Sequence, residues 1–128
     1  MKKVILIILS LLLFTCEDPN AVEDENTSWV FVANEGNFGS SNGTISMIDD
    51  FGNVFETDAI GDVVQSLEVY ENKLIVLVNN SHMIKIYDIT KDGLSMPGIE
   101  VSTDGSSPRD LVVKNDKVYF TNWNSQDV

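Results

Sequence analysis

Three similar segments of the sequence end in asparagine, and these residues are the first candidates for ligand contacts. They are Asn34, Asn79 and Asn122, spaced 45 and 43 residues apart. An asparagine amide offers donors and an acceptor, and equivalent strand ends would place the three amides around one shared pocket. The alternative is that each asparagine only ends its strand, because asparagine tolerates the left-handed turn geometry common there.

Other polar and aromatic residues lie close to these asparagines. Glu35, Asn37 and Phe38 follow the first one, and Trp123 follows the last. A carboxylate, an amide and aromatic faces together suit a sugar, a ring-shaped ligand or a bound cation. Arg109, the only arginine, could bind a carboxylate or phosphate through two parallel hydrogen bonds. An ordinary ion pair, with the adjacent aspartate or a neighbouring repeat, is the alternative for this arginine.

No sequence pattern points to a catalytic residue, a cofactor or a particular metal. His82 is the only histidine, and without a second histidine or nearby cysteine a hairpin role is favoured over zinc binding. Asp49 and Asp50, followed by Gly52 and Asn53, indicate a turn rather than a calcium loop. Nucleophile-elbow, Walker and dinucleotide-binding patterns are not found in the sequence.

The balance of charge excludes nucleic acid as the expected partner. The 128 residues include 20 acidic and 8 basic side chains, which gives a formal net charge of −12. Phosphate backbones are repelled by such a surface, whereas nucleic-acid binding depends on positive charge. The acidity suits an extracytoplasmic domain or one that attracts cations.

The N-terminal residues 1–16 are typical of an export signal that ends at a lipid-attachment cysteine. Lys2 and Lys3 precede the apolar run Val4–Phe14, which is too short to span a membrane as a helix. The only cysteine, Cys16, follows at once and resembles the lipidated cysteine of bacterial lipoproteins. Leu13 fits that motif, whereas Phe14 and Thr15 depart from its usual small residues. The resemblance implies a membrane anchor at Cys16, and a buried β-strand or helix is the alternative for the run.

Residues 17–28 are expected to form a flexible acidic tether. They are rich in Asp and Glu, contain Pro19 and bury too little apolar surface to fold alone. Acidic residues just after a lipidated cysteine resemble surface-export signals in some Gram-negative lipoproteins, while an aspartate there marks inner-membrane retention in others. The protein is therefore expected in a bacterial cell envelope, as an outer-membrane lipoprotein on the surface or the periplasmic face.

Residues 29–128 contain an internal repeat with a period near 44. The segments W-V-F-V-A-N, L-I-V-L-V-N and V-Y-F-T-N are rich in β-branched and aromatic residues and end at the three asparagines. Residues 65–74 also resemble residues 109–118, and both contain a strand, a two-residue polar turn and a second strand. The expected repeat units are residues 29–60, 61–104 and 105–128.

The pattern predicts an all-β fold built from four-stranded antiparallel units. Alternating apolar and polar residues, as in Ile84–Tyr87, have the period of half-buried strands, and helical periodicity is lacking after Ser28. Four strands in about 40–45 residues are typical of one β-propeller blade. A single small β-sandwich is the competing interpretation.

The same segments resemble the YVTN-repeat propeller family. The motif Y-F-T-N at Tyr119–Asn122 differs from the family signature by one residue, and Gly105–Val113 is similar to the lead into that motif. The opening Val32–Gly39 resembles lipid-anchored surface propellers of Gram-negative bacteria, some of which capture corrinoids. The resemblance implies an incomplete propeller of two to three blades, expected to be the N-terminal part of a longer protein; self-association of short chains is the alternative.

The expected function is capture of a small molecule or glycan by a cell-surface or periplasmic lipoprotein, which could pass its ligand to an outer-membrane transporter. Two other classes stay open. One is a propeller enzyme, either lactonase-like with a cation held by Glu35, Asn79 and Asn122, or quinoprotein-like. The other is a scaffold that presents loops to protein partners.

Overall fold

The computed structural model describes residues 28–124, and these form an all-β antiparallel fold. The predicted fold class is confirmed at this level, since no helix occurs within residues 28–124. Ten strands follow one another along the chain: β1 Val30–Asn34, β2 Thr44–Ile48, β3 Val54–Glu56, β4 Val64–Tyr70, β5 Lys73–Val78, β6 Met83–Thr90, β7 Gly93–Leu94, β8 Ile99–Ser102, β9 Pro108–Lys114 and β10 Lys117–Asn122.

The strands are arranged in three separate sheets that follow the order of the sequence. The first sheet has the order β1-β2-β3, and the third consists of β9 and β10. The middle sheet has the order β4-β5-β6-β8, with the short β7 paired to the far end of β6. Every pairing is antiparallel, and within the described residues no sheet closes on itself.

The middle sheet is packed between the other two because β5 is apolar on both of its faces. Leu74, Val76 and Val78 point towards the first sheet, where they pack in a cluster with Ile45. The alternate residues of β5 join a second cluster with the third sheet, whose members are Tyr70, Ile75, Leu77, Ile84, Ile86, Leu111, Val113, Val118 and Phe120. A strand buried on both faces has a continuous apolar run instead of an alternating one.

The hairpins predicted from the repeat are confirmed. Strand β4 ends at Tyr70 and β5 begins at Lys73, so that Glu71 and Asn72 form a two-residue turn. The second hairpin has the equivalent turn at 115–116. In both turns the first residue has positive φ, 53° and 52°, which is the geometry that two-residue hairpin loops require.

The interpretations of residues 1–16 and of most of the tether fall outside the described residues. The lipid attachment of Cys16 therefore remains a prediction. Ser28, the last residue of the predicted tether, donates its backbone N–H to Asp50 Oδ2 at 3.0 Å. Among residues 28–124 there is no helix of the length and apolarity that crossing a membrane requires.

Candidate functional site

The loops after β1, β5 and β10 lie at one end of the stacked sheets, together with the connections that lead into β4 and β9. We call this set the loop end; it comprises residues 35–43, 57–63, 79–82, 103–107 and 123–124. Hydrogen bonds between these segments show that they contact one another. This is the end at which the sequence predicted ligand contacts.

Asp62 connects three segments of the loop end. Its side chain is buried, and its two carboxylate oxygens each accept the backbone N–H of Gly39 at 3.0 Å. Asn80 donates its side-chain amide to Asp62 Oδ2 at 2.6 Å, and Ser81 Oγ accepts the Asp62 backbone N–H at 2.9 Å. Bonds to a charged acceptor are stronger than neutral ones, so Asp62 fixes the long loop after β1 against the turn after β5.

A second group of contacts joins the middle and third sheets. His82 Nδ1 accepts the backbone N–H of Ser107 at 3.1 Å and lies 3.3 Å from Ser107 Oγ. Asn124 donates its side-chain amide to Ser107 Oγ at 2.9 Å. His82 thus holds a turn against a neighbouring sheet, which agrees with the hairpin role predicted for it.

The backbone at the loop end repeats with an offset of 44 residues. Asn79 N donates to Val63 O at 2.8 Å, and 44 positions later Trp123 N donates to Ser107 O at 3.1 Å. Both acceptor residues have positive φ, 63° for Val63 and 53° for Ser107. Left-handed geometry is rare for a β-branched residue, so its recurrence shows that the repeat imposes this turn whatever the side chain.

The repeat corrects the expectation that the three asparagines occupy equivalent positions. Strand pairing matches Val64 with Val78, and 44 residues later it matches Pro108 with Asn122. The equivalent of Asn122 in the middle sheet is therefore Val78, and Asn79 corresponds to Trp123. In the sequence, Asn79 and Asn122 were matched because they are the same residue type. In the structure, the turns set the strand register, and they lie 44 residues apart.

The side chains of Asn34 and Asn79 bind neighbouring strands. Asn34 donates its amide to Thr44 Oγ1 at 3.1 Å and to Ser46 Oγ at 2.8 Å, both on the adjacent strand β2. Asn79 is buried and donates to the carbonyl of Pro108 at 2.8 Å, which links the middle and third sheets. These bonds give Asn34 and Asn79 structural roles.

The long loop after β1 is ordered by its own hydrogen bonds and exposes an aromatic ring. Asn42 Oδ1 accepts the backbone N–H of Asn37 at 2.8 Å. The carbonyl of Glu35 accepts Val64 N at 3.3 Å, and the Glu35 side chain is exposed. Phe38 at the tip is 79% exposed. This loop therefore presents Glu35 and Phe38 to solvent.

Arg109 and Trp123 form a stacked pair of exposed side chains at this end. The Arg109 guanidinium lies over the Trp123 ring, with Cζ 4.6 Å from the ring centroid, and the ring is 70% exposed. Asp110, the expected ion-pair partner, instead accepts hydrogen bonds from Ser66 Oγ at 3.1 Å and from the backbone N–H of Leu111 at 2.9 Å. Among residues 28–124 the ion pairs involve lysines only, and Arg109 is exposed.

The Ser107–His82 pair is not arranged as a nucleophile and base. His82 Nδ1 already accepts the Ser107 backbone N–H, and Ser107 Oγ is buried and accepts a bond from Asn124. A serine nucleophile needs an accessible oxygen and a base free to take its proton. Across residues 28–124, no group of three or more His, Cys, Asp or Glu side chains is placed to hold a metal ion.

A groove of about 370 Å³ lies at the opposite end of the sheets. Trp29, Phe51 and Phe55 line it from the first sheet, and Lys91 and Asp92 line it from the turn after β6. Trp29 is fixed by its Nε1–H, which donates to Thr90 O at 2.9 Å, and by an edge-to-face contact with Phe55 at 5.9 Å between centroids. No motif in the sequence predicts this groove.

The turn beside this groove is the one that the sequence predicted at Asp49. Asp49 Oδ1 accepts the backbone N–H groups of Phe51 and Asn53, both at 2.9 Å, and Oδ2 accepts the Asn53 side-chain amide at 2.8 Å. These bonds, the one from the Asn53 side chain foremost, lower the pKa of Asp49 below its usual value. The carboxylate acts as a turn brace.

Comparison with known proteins does not add a family to these observations. No protein-family model matches this chain, and no curated protein matches it.

Proposed function

We propose that the protein is a cell-envelope lipoprotein whose loop end captures a small molecule or glycan. In this proposal Cys16 carries the lipid anchor, and the three sheets are neighbouring blades of a β-propeller. A YVTN-type propeller is supported by the 44-residue repeat, by the stacking of three successive antiparallel sheets and by the loops collected at one end. An outer-membrane transporter is the proposed recipient of the ligand.

The stacked pair of Arg109 and Trp123 carries the proposal for ligand binding. The stack holds the guanidinium in place, and the planar fork keeps donors available for a carboxylate or phosphate. The exposed Trp123 ring offers an apolar surface for the rest of the ligand. In a chain of net charge −12, an arginine that has no ion-pair partner among residues 28–124 is a local attraction for anionic ligand groups.

A thermal-shift panel of corrinoids, nucleotide cofactors and oligosaccharides tests this proposal on the full chain in a non-glycosidic detergent. A ligand at one hundred times its dissociation constant stabilises the folded state by about 2.7 kcal/mol. Arg109→Gln should weaken binding of that ligand at least about tenfold, which is a loss of about 1.4 kcal/mol. Lys114→Gln is the matched control, because it removes the same charge from the far end of β9.

Two outcomes would contradict the proposal. One is the absence of a shift with every member of the panel; the other is equal loss of binding in the Arg109 and Lys114 variants, which would indicate a general charge effect. Metal-dependent hydrolase activity in the same preparation would favour the enzyme alternative.

A further inference from the structure

We propose that the groove at the end opposite to the loop end is a second binding site, for a neutral oligosaccharide. The groove is lined by Trp29, Met47, Phe51 and Phe55 together with Asp49, Lys91 and Asp92. A site in this groove is distinct from the proposed loop-end site, because the two sites share no residue and lie at opposite ends of the strands.

The groove is not a surface left bare by a missing sheet. Its walls come from the first sheet and from the turn after β6 in the middle sheet, and both sheets are in place. The end of β6 contacts the first sheet directly, since the carbonyl of Thr90 accepts the Nε1–H of Trp29, the residue before β1, at 2.9 Å. The exposed apolar residues on the outer faces of the stack, such as Val30 and Val112, differ in this respect because no described sheet covers them.

Phe51 is the residue that needs an explanation. Its side chain is 90% exposed, yet the turn that carries it is braced by the three bonds to the Asp49 carboxylate. A rigid turn that presents a large apolar ring to solvent costs solvation free energy, and a bound ligand would recover it. Trp29 is similarly fixed through Thr90, so the aromatic surfaces are preorganised.

The mixture of lining groups selects the class of ligand. Sugars have apolar C–H faces that pack on aromatic rings and hydroxyl groups that both donate and accept hydrogen bonds. Lys91 supplies a donor and Asp92 an acceptor at the rim, and their own contact is long, at 3.4 Å. Asp49 and Asp92 against Lys91 leave the groove with one net negative charge, which disfavours an acidic sugar.

Tryptophan fluorescence separates the two ends, because the chain has only two tryptophans and each end has one. The Trp123→Phe chain retains Trp29 as its reporter, and the Trp29→Phe chain retains Trp123. Each full-length chain, in a non-glycosidic detergent, is titrated with maltohexaose, cellohexaose and xylohexaose. We expect at least one of them to give a saturable change in the Trp123→Phe chain.

Variants at two exposed phenylalanines, one at each end, supply the matched control. In the Trp123→Phe background, Phe51→Ala should weaken binding at least about tenfold, whereas Phe38→Ala at the loop end should leave it unchanged. Lys91→Ala should weaken it by a smaller factor. Both phenylalanines are exposed, so folding should survive either change, and circular dichroism checks that it does.

The results that would overturn the second site are equally specific. They are the absence of a saturable change with all three hexasaccharides in a folded chain, equal effects of Phe51→Ala and Phe38→Ala, or tighter binding of an oligoglucuronate than of the neutral sugars. A response seen only by Trp123 would support the loop end as the glycan site and overturn the groove. A response seen only by Trp29 would support the groove whether or not the loop end binds any ligand.

Discussion

The middle and third sheets contain the same hairpin but differ in burial. Ile75 on β5 is 4% exposed, whereas its equivalent Tyr119 on β10 is 44% exposed. Both hairpins have the same turn and the same register, so local geometry does not explain the difference. The middle sheet has neighbours on both faces, and the third has one neighbour among the described residues. The stacking of sheets, more than the hairpin itself, therefore determines where the core forms.

The largest expected effect comes from removing two methyl groups from a valine that occupies equivalent positions in two sheets. Val76 is fully buried between the middle and first sheets, and its equivalent Val32 is 41% exposed on the outer face of the first. Val76→Ala should lower the free energy of unfolding by about 2 to 3 kcal/mol, because it combines lost burial with a cavity. Val32→Ala should change it by less than about 0.5 kcal/mol. Urea unfolding of the two chains measures both, and equal losses would contradict the role assigned to stacking.

Much of this difference between sheets is visible in the sequence. The apolar run Leu74–Val78 has no polar interruption, whereas Val118–Asn122 ends in threonine and asparagine. The strands and the two-residue turns were predicted for the same reason, since alternation and turn residues are local signals. Which sheets contact one another is a long-range property, and the sequence pattern indicated it only through the family resemblance.

A second comparison concerns equivalent loop positions with opposite environments. Asp62 accepts bonds from Gly39 and Asn80, whereas Ser106, 44 residues later, has a buried Oγ without a hydrogen-bond partner in the described structure. Asp62→Ala should lower the free energy of unfolding by about 1 to 2 kcal/mol, because it leaves those donors without an acceptor. Ser106→Ala should be neutral or stabilise by up to about 1 kcal/mol, since it removes an unpaired buried hydroxyl.

Amide hydrogen exchange measures the local effect of the Asp62→Ala and Ser106→Ala substitutions. The Gly39 amide should exchange faster in the Asp62 variant and at the original rate in the Ser106 variant. Equal destabilisation by both substitutions would show that the loop end depends on backbone bonds alone. Unchanged exchange at Gly39 would contradict the role given to the Asp62 carboxylate.

The candidate sites show where sequence reasoning fails. Arg109 was singled out as the only arginine, and Phe38 and Trp123 were singled out because they lie close to the repeated asparagines. Asp62 was missed because one carboxylate among 20 acidic residues carries no signal of its own, and only its position in the repeat distinguishes it. The aromatic groove was missed because Trp29, Phe51 and Phe55 are brought together by two turns and a sheet edge, at no regular spacing.

The smallest expected effect concerns Tyr87, whose ring lies on the face of the middle sheet that packs against the first sheet. Tyr87 is fully buried, and Gly98 packs so closely on it that an added Cβ would lie 2.5 Å from the ring. Its hydroxyl has no hydrogen-bond partner among the described residues. Burial, with a smaller contribution from the charge of Glu100, raises the Tyr87 pKa from 10.0 to about 12.

Because the pKa is higher in the folded state than in the unfolded state, stability should fall as the pH rises from about 10 to about 12. Tyr87→Phe should reduce this alkaline loss and, near neutral pH, leave stability unchanged or raise it by up to about 1 kcal/mol. Part of the loss should remain, since the hydrogen bond to Asp116 raises the Tyr70 pKa as well. Tyr119→Phe, at an exposed position of the third sheet, should keep the full alkaline loss. Urea unfolding at neutral pH and near pH 11 measures these differences, and parallel curves for the two variants would show that burial between sheets does not control the ionisation of Tyr87.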